Sequence, residues 1–336
     1  MRREVTYCLS YPIVLTRKCA NCCGYCRFPV AGPERLPSLR VVRSHLREAA
    51  RRGATQIELI AGEGISTDPE ILSTVRYYGF SSYLHYLMRI LQMVEATNRR
   101  SHLFSLLNIG PLSLAELGLL RPYLCALRIM LESADAALEF REAHLQSPDK
   151  APERRLEAIL CCGKAGVPLT TGILVGIGES PASRLRAFDI IARVHERYRH
   201  IQAVRLQMFH PVPGTPMEFF PRIGDEEFLE VVALARHDFG PDMAIQVSAD
   251  EHPHLIGRLL GAGVNDFGDL SLRRPPGPHL SHNDLVAMLG SETQARGLRL
   301  VRRFPVLGPY CSARWYPSGF PDRIPGAREW MFAPVR

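Results

Sequence analysis

Short β-rich runs alternate with amphipathic helical patterns along most of this 336-residue chain. The eight strand candidates are residues 12–16, 55–61, 102–108, 125–131, 168–175, 202–209, 243–248 and 264–269. The helical patterns between them are residues 38–52, 81–97, 113–121, 151–165, 180–199, 224–238 and 252–261. Apolar strands separated by helices are typical of a parallel sheet covered by helices. Eight such units predict an α/β fold, a closed (βα)8 barrel of the TIM type.

The chain is longer than a typical single domain but suits one barrel. We expect residues 1–270 to form the barrel and residues 271–336 to form a C-terminal extension that caps it. The extension contains a Pro-rich connection, a helical pattern near 283–296, a strand-like run at 298–302 and an aromatic tail. Its Cys311 and Trp315 are expected to pack rather than to bind a ligand.

Composition excludes several classes of function. With 46% apolar residues the chain can bury a sizeable core, and no apolar stretch is long enough to predict a membrane span. The net charge of +7 comes from scattered arginines without the dense basic stripe that nucleic-acid binding requires. Nine cysteines without an apolar signal segment predict a cytoplasmic protein.

A cluster of cysteines follows the first predicted strand, in the sequence Cys19-Ala-Asn-Cys22-Cys23-Gly-Tyr-Cys26. Cys19, Cys23 and Cys26 form a CxxxCxxC pattern. Three thiolates can hold three irons of a four-iron four-sulfur cluster and leave the fourth iron open to another ligand, whereas a closed electron-transfer cluster uses four cysteines. The pattern therefore indicates a [4Fe-4S] cluster with an open iron.

Other interpretations of these cysteines remain. A zinc site needs a fourth ligand, and the next histidine, His45, lies on a predicted helix face. Disulfides need an oxidising compartment. Buried inert thiols are the simplest alternative, although four cysteines within eight residues fit it poorly. Cys22 is the spare thiol, and a register that uses it is the less favoured one.

Glycine and polar residues follow the predicted strands where each strand ends. These residues are Gly62, Glu63, Gly64, Asn108, Glu132, Ser133, Gly176, Gly178, Glu179, Gln207, His210, Asn265 and Asp266. In a parallel barrel the carboxyl ends of the strands form one face, which holds the active site. We therefore expect these residues to converge.

Three of the charged residues suggest specific contacts. Glu63, between two glycines, could accept hydrogen bonds from an ammonium group, although the glycines alone are also typical of a turn. An unpaired carboxylate at Glu132 would be costly in a barrel mouth, so we expect it to meet a cation or a hydroxyl. Arg155 either reaches a carboxylate or is a solvated helix charge.

The cysteine pattern with Tyr25 resembles that of radical S-adenosylmethionine (SAM) enzymes. Longer segments resemble the family formed by the first subunit of 7,8-didemethyl-8-hydroxy-5-deazariboflavin synthases. These segments are Val5-Thr-Tyr, Leu15-Thr-Arg17, Tyr78-Gly-Phe-Ser-Ser-Tyr83, Met130-Leu-Glu-Ser133, Ser147-Pro-Asp-Lys150, Arg155-Leu156, Thr170-Thr-Gly-Ile-Leu-Val-Gly-Ile-Gly-Glu179, His200-Ile-Gln202, Gln207, Pro213-Gly-Thr-Pro-Met217 and Gly263-Val-Asn-Asp266. The resemblance covers most of the chain.

The resemblance implies a radical SAM barrel with two cofactors, a [4Fe-4S] cluster on the three cysteines and SAM on the open iron. Glu63 would hold the amino group of SAM, and Glu132 and Arg155 would contact its ribose and carboxylate. The other residues expected at the cofactor are Gly62, Ser133, Gly172 and Gln207.

The resemblance also implies the chemistry and the partners. Reductive cleavage of SAM would give a 5′-deoxyadenosyl radical that abstracts hydrogen from a small-molecule substrate. In the deazaflavin family that substrate is an adduct of tyrosine and ribityl-diaminouracil, and the reaction closes a ring. The implied partners are a reducing electron donor such as ferredoxin or flavodoxin and a second radical SAM subunit.

The chain differs from the family pattern at predicted interior strands. It has Asn108-Ile-Gly where Asn-Pro-Gly is expected, Gln207-Met-Phe where Gln-Asn-Phe is expected, and Asp266-Phe-Gly-Asp269 where Asp-Trp-Gly-Gly is expected. Residues 273–279 replace a Thr/Asp/Asn-Pro-Glu segment. These differences allow a divergent enzyme acting on another amino-acid or nucleoside-like substrate. A non-catalytic metal-binding interaction module is the alternative of another class, and it would not need Glu63, Glu132 and Arg155 around the thiolates.

Overall fold

The structure is a computed structural model and describes residues 4–273, 280–312 and 314–316. The predicted parallel barrel is confirmed, because β1 pairs with both β2 and β8 and so closes the sheet. The strands are β1 (Glu4–Thr16), β2 (Gln56–Ala61), β3 (Phe104–Asn108), β4 (Ala126–Arg128), β5 (Leu169–Val175), β6 (Ile201–Met208), β7 (Ala244–Gln246), β8 (Asp266–Ser271) and β9 (Arg299–Arg303).

Helices lie between the strands and cover the outside of the barrel. They are α1 (Leu39–Arg51), α2 (Pro69–Tyr77), α3 (Tyr83–Ser101), α4 (Leu114–Leu120), α5 (Pro152–Ala165), α6 (Pro181–Tyr198), α7 (Asp225–Phe239), α8 (Ile256–Ala262) and α9 (His282–Gln294). Serine side chains cap several amino termini, as Ser38 does for α1 and Ser180 for α6. The sequence patterns did not predict α2, which Asp68 caps.

The first strand is longer than predicted, with 13 residues instead of the five at 12–16. Its second half pairs with β2 from Ser10 onward. Its first half, Glu4 to Cys8, pairs in parallel with β9 near the end of the described chain. The sequence near residue 4 does not show this partner, which explains why the prediction was too short.

The C-terminal extension closes the amino-terminal end of the barrel, opposite the end where the strands finish. A cluster of buried side chains fills that end, and we call it the plug. It contains Phe104, Leu106, Cys125, Ala126, Ala203, Ala244, Phe304, Val306, Leu307, Tyr310, Trp315 and Tyr316, with Cys311 packed against it. Cys311 and Trp315 therefore pack, as expected.

The extension's predicted helix and strand are both present, as α9 and β9. β8 ends at Ser271, one residue past the predicted division of the chain, and the division into two domains stays a prediction. The connection at 274–279 and the tail from 317 lie outside the described residues. No helix in the described part of the chain is long and apolar enough to cross a bilayer.

Candidate active site

The loop between β1 and α1 presents the three cysteines at the carboxyl end of the barrel. Cys23 is buried, Cys19 and Cys26 are partly buried, and Cys22 is exposed. The backbone N–H of Glu63 donates to Cys19 Sγ at 3.3 Å, and that of Phe28 donates to Cys26 Sγ at 3.4 Å. Backbone N–H groups directed at sulfur are typical of cysteines that bind iron–sulfur clusters.

The donor set fits a cluster better than a single ion. Among the residues that the structure describes, no three His, Cys, Asp or Glu side chains are grouped around one metal-ion position. In a four-iron cluster each thiolate binds a different iron, so the three sulfurs need not meet at one point. Burial raises the pKa of the Cys23 thiol to about 11, and a bound iron would replace its proton.

Gly62 brings the end of β2 against the cysteine loop. A Cβ atom at this position would lie 1.8 Å from the Lys18 carbonyl oxygen, so any larger residue would force the two segments apart. Next to it, the Ala20 N–H donates to the Glu63 carbonyl oxygen at 2.9 Å. The close approach places the Glu63 side chain directly beside the cysteines.

Two carboxylates and two cations meet beside this loop, and we call Glu63, Glu132, Lys150 and Arg155 the carboxylate clamp. Lys150 Nζ bridges the carboxylates, at 3.1 Å from Glu63 Oε1 and 2.9 Å from Glu132 Oε1. Arg155 Nη1 donates to Glu63 Oε2 at 3.0 Å, and its Nη2 lies 3.9 Å from Glu132 Oε1. The group is electrically balanced.

The clamp is buried, with Arg155 1% exposed and both Lys150 and Glu132 7% exposed. Burial alone would raise the pKa of Glu132, but Lys150 and Arg155 outweigh it and hold that pKa below its usual range. Burial and Arg155 act to lower the pKa of Lys150, and the two carboxylates more than offset them. Glu132 and Lys150 are therefore charged at neutral pH.

Neighbouring strands hold the clamp in place. Glu132 has a φ of 65°, in the left-handed region that non-glycine residues rarely adopt. Its N–H donates to the Gly172 carbonyl at 3.1 Å and its own carbonyl accepts from Leu174 N–H at 2.9 Å, so β5 fixes this conformation. Arg155 Nε donates to the Met130 carbonyl at 2.7 Å, which orients the guanidinium.

Comparisons with known proteins agree with this geometry. Residues 13–191, more than half of the chain, match the model of the Radical SAM superfamily. A protein of Methanosarcina acetivorans named 7,8-didemethyl-8-hydroxy-5-deazariboflavin synthase is 37% identical over 314 residues, covering 90% of each chain. The protein of that name from Archaeoglobus fulgidus is 35% identical over 323 residues, covering 93% of each chain. The chain is a radical SAM protein of the family to which these synthases belong.

Solved structures support the radical SAM fold. The FeFe-hydrogenase maturase HydG from Carboxydothermus hydrogenoformans superimposes with a TM-score of 0.68 at 23% identity, covering 94% of this chain and 70% of that one. Methylornithine synthase superimposes with a TM-score of 0.65 at 18% identity, covering 89% and 84%. At these identities the likeness concerns the fold alone.

The structure brings some of the predicted radical SAM site residues together. Gly62, Glu63, Glu132 and Arg155 all meet beside the cysteine loop. Ser133 Oγ instead accepts a hydrogen bond from Asp135 N–H at 3.1 Å. Gly172 is buried within β5, and Gln207 lies on β6 opposite Leu174 of β5. The binding roles of all seven residues stay predictions.

Sequence reasoning missed two members of this site. Lys150 stands in Ser147-Pro-Asp-Lys150, a short 3-10 turn just before α5, and no role was assigned to it. Asn21, within the cysteine loop, donates to Glu63 Oε2 at 3.2 Å and accepts from Asp149 N–H at 3.1 Å. The signal in the sequence that could have identified them is that both lie in segments that resemble the family, Lys150 in Ser147-Pro-Asp-Lys150 and Asn21 in the cysteine motif.

A polar interior lies between the clamp and the plug. Ile13 and Leu15 of β1 pack outward against the helices, so Val14 between them faces the barrel interior. Because Val14 is 43% exposed, the interior is open to solvent at this level. Below it, Arg128 of β4 pairs with Glu58 of β2 at 2.6 Å and with Asp269 of β8. Asn108 Nδ2 donates to Glu58 Oε1 at 3.0 Å. The barrel interior above the plug is therefore polar and is open at its mouth.

Proposed function

We propose that this radical SAM enzyme forms the 7,8-didemethyl-8-hydroxy-5-deazariboflavin ring system, as the names of its relatives suggest. The observation that supports it most is the buried, charge-balanced clamp beside three cysteines. A metal-binding interaction module gains nothing from burying two carboxylates and two cations, because burial of charges costs free energy that their mutual pairing often fails to offset. The proposed enzyme type is a synthase of the lyase class.

The residues present fit both cofactors. Cys19, Cys23 and Cys26 would hold the cluster, and Glu63 would accept hydrogen bonds from the amino group of SAM. When bound, the cluster and SAM would supply the radical chemistry needed for hydrogen abstraction. The protein's part is to hold the substrate in the barrel interior and to exclude water, and the plug closes the far end of that space.

Lys150 has a defined task in this proposal. Without a ligand it neutralises Glu63 and Glu132, which would otherwise repel each other. An ammonium group arriving at Glu63 would share that carboxylate with Lys150 and Arg155. The clamp is therefore organised before SAM arrives.

The test is anaerobic reconstitution with iron and sulfide, followed by incubation with dithionite, SAM, tyrosine, ribityl-diaminouracil and a competent second subunit. Mass spectrometry then measures 5′-deoxyadenosine and the deazaflavin chromophore. We expect both products. Formation of 5′-deoxyadenosine without the chromophore would reject deazaflavin synthesis and retain the radical chemistry.

Two matched variants serve as controls for the test. Cys26→Ala removes a proposed cluster ligand, and Cys22→Ala removes the exposed spare thiol. We expect no product from the first and wild-type amounts from the second. Product from Cys26→Ala would contradict the proposed ligand set.

A divergent substrate is the second candidate, and one ion pair favours it. Asp269 stands where the family resemblance leads us to expect glycine, and the structure pairs it with Arg128 inside the barrel. A carboxylate and a guanidinium there would change which polar groups a substrate can present. The same incubation with other amino-acid or nucleoside-like substrates, scored by substrate-dependent 5′-deoxyadenosine, tests this candidate.

We also propose the partners that this chemistry requires. A low-potential donor such as ferredoxin or flavodoxin would reduce the cluster, and a second radical SAM subunit would supply the adduct. Both belong in a reducing cytoplasm. Replacement of dithionite by reduced flavodoxin, with 5′-deoxyadenosine as the readout, tests the electron donor.

A further inference from the structure

Among the described residues, the side chains of Arg128, Arg205 and Arg303 point into the barrel interior, and the three differ in how many of their nitrogens have acceptors. Side chains alternate along a strand, so the inward positions of β6 are Ala203 in the plug, Arg205 above it and Gln207 near the mouth. Val204 and Leu206 face outward to the helices. Arg205 thus lies in the open space between the plug and the clamp.

Arg303 shows how an arginine is fully satisfied in this interior. Its Nε donates to Asp266 Oδ2 at 2.5 Å and its Nη2 to Asp266 Oδ1 at 2.9 Å. One planar edge of the guanidinium thus holds both oxygens of a carboxylate, the arrangement that gives arginine its specificity. Arg128 uses its two terminal nitrogens instead, one on Glu58 and one on Asp269.

Arg205 leaves that same edge open. Its Nη1 donates to Gln246 Oε1 at 3.2 Å. Its Nε is buried and has no acceptor among the described residues. Its Nη2 lies 3.5 Å from Glu251 Oε1, too far for a strong hydrogen bond. A buried donor without an acceptor costs free energy, and in Arg205 that donor is Nε, directly beside the Nη2 that Glu251 contacts only weakly.

Glu251 holds this edge loosely. It lies on the loop after β7, its side chain is 38% exposed, and the side chain of Arg205 is only 9% exposed. Loss of solvent in the barrel mouth raises the pKa of Glu251, and the attraction of Arg205 opposes that shift. A loop carboxylate in this position can withdraw when a better-fitting acceptor arrives.

We propose that the Nε–Nη2 edge of Arg205 binds acceptor oxygens of the substrate, in a position that Glu251 partly holds in the free protein. Two substrate groups have this chemistry: the two oxygens of an amino-acid carboxylate, and a ring carbonyl oxygen of a pyrimidinedione, whose two lone pairs can accept from both donors. The inference rests on the proposed function for the identity of the substrate. It assigns Arg205 to substrate binding, a role that none of the clamp residues has.

The test measures binding rather than turnover. Anaerobically reconstituted protein with SAM and without reductant is titrated by calorimetry, in one arm with L-tyrosine and in the other with ribityl-diaminouracil. We expect one probe to bind, and Arg205→Lys to weaken that binding at least 10-fold, because lysine keeps the charge and loses the planar edge. Loss of tyrosine binding identifies the carboxylate, and loss of ribityl-diaminouracil binding identifies the ring carbonyl. The matched control is Arg193→Lys on the exposed face of α6, which we expect to bind as wild type.

Several results would overturn the assignment. Wild-type affinity in Arg205→Lys would do so, as would a wild-type protein that binds neither probe at millimolar concentration. If Arg205→Lys also loses SAM binding, the variant is not correctly folded, and Glu251→Gln then serves as the test of the proposed position. It removes the competing charge and should bind the probe about threefold more tightly, whereas equal or weaker binding rejects the position. Because no reductant is present, the outcome is independent of whether the deazaflavin chromophore forms.

Discussion

The two ends of the barrel interior are built in opposite ways. At the plug end, aromatic side chains pack edge to face, as Phe104 does on Phe304 with ring centroids 5.0 Å apart, and the fully buried Asp266 has its oxygens occupied by Arg303, Thr6 and Gln246. Toward the clamp end, Glu132 adopts a left-handed conformation, Arg205 leaves its Nε donor without an acceptor, and Val14 is 43% exposed.

This difference shows where the fold stabilises itself and where it is prepared for ligands. A satisfied ion pair inside apolar packing needs nothing further from solvent or substrate. Strained backbone and open donors persist only when the surrounding structure holds them, and they are typical of sites that bind something. Substitutions at one end should therefore change stability, and substitutions at the other should change binding.

The largest effect is expected at the cysteine loop. Cys23→Ala should abolish cluster assembly, because two remaining thiolates cannot hold three irons. Iron and sulfide analysis with the visible absorption spectrum measures it. The urea midpoint of the cluster-free protein should change far less, since the plug is untouched. A variant that still bound four irons and four sulfurs would contradict the three-cysteine assignment.

The next largest effect concerns the plug. Asp266→Ala leaves the buried Arg303 guanidinium without its carboxylate, which should lower the free energy of unfolding by about 3–5 kcal/mol. Urea denaturation of the cluster-free protein measures it. Asp189→Ala, which breaks the exposed pair with Arg193 on α6, is the control and should cost about 0–1 kcal/mol. Equal costs for the two variants would show that the buried pair at the plug end does not stabilise the fold.

A change in the clamp should reduce binding and leave the cluster intact. Glu63→Gln removes the charge that Lys150, Arg155 and the SAM amino group share. A hydrogen bond to a charged group contributes about 1.5–3 kcal/mol, so SAM affinity should fall roughly 10- to 100-fold. Calorimetry on the reconstituted protein measures it, with Glu48→Gln on the exposed side of α1 as the control. Unchanged affinity would remove Glu63 from the proposed SAM site.

The smallest expected effect is on the pH dependence of stability and involves His252, which lies beside the barrel mouth. His252 is fully buried, packs on the rings of His210 and Phe228, and has no partner for either ring nitrogen among the described residues. Burial lowers its pKa to about 4, so the unfolded chain binds the extra proton more readily below about pH 6.5. Its neutral ring thus stabilises the fold above that pH, and the contribution is lost as the pH falls toward 4.

His252→Phe should therefore flatten the loss of stability between pH 6.5 and 4. The phenyl ring keeps the packing and cannot be protonated, so the variant should retain about 1–2 kcal/mol more stability at pH 5. Urea unfolding of the cluster-free protein across this pH range gives the measurement, and His237→Phe, at an exposed position on α7, is the control. Parallel curves for wild type and His252→Phe would show that the buried ring does not titrate.

The barrel, the cysteine pattern and three of the four clamp residues could be predicted from local features of the sequence. Near-continuous apolar runs between helices report burial on both faces of each strand, which is a local property of the chain. Cys19, Cys23 and Cys26 lie within eight residues, so their spacing is readable without a fold. Glu63 and Glu132 could be proposed because charges at strand ends need partners, and Arg155 because an arginine on the following helix can reach a carboxylate.

The groups that complete each site from distant parts of the chain are visible only in the folded protein. Lys150 completes the clamp from a turn 87 residues beyond Glu63, and β9 pairs with the first half of β1 from the opposite end of the described chain. In the sequence, nothing distinguishes Arg205 from other strand arginines. The fold shows that Gln246 of β7 accepts from only one of its nitrogens and that Asp266 of β8 is already paired with Arg303. The physical reason is that a hydrogen bond depends on the position of both partners, and the local pattern of a chain specifies only one of them.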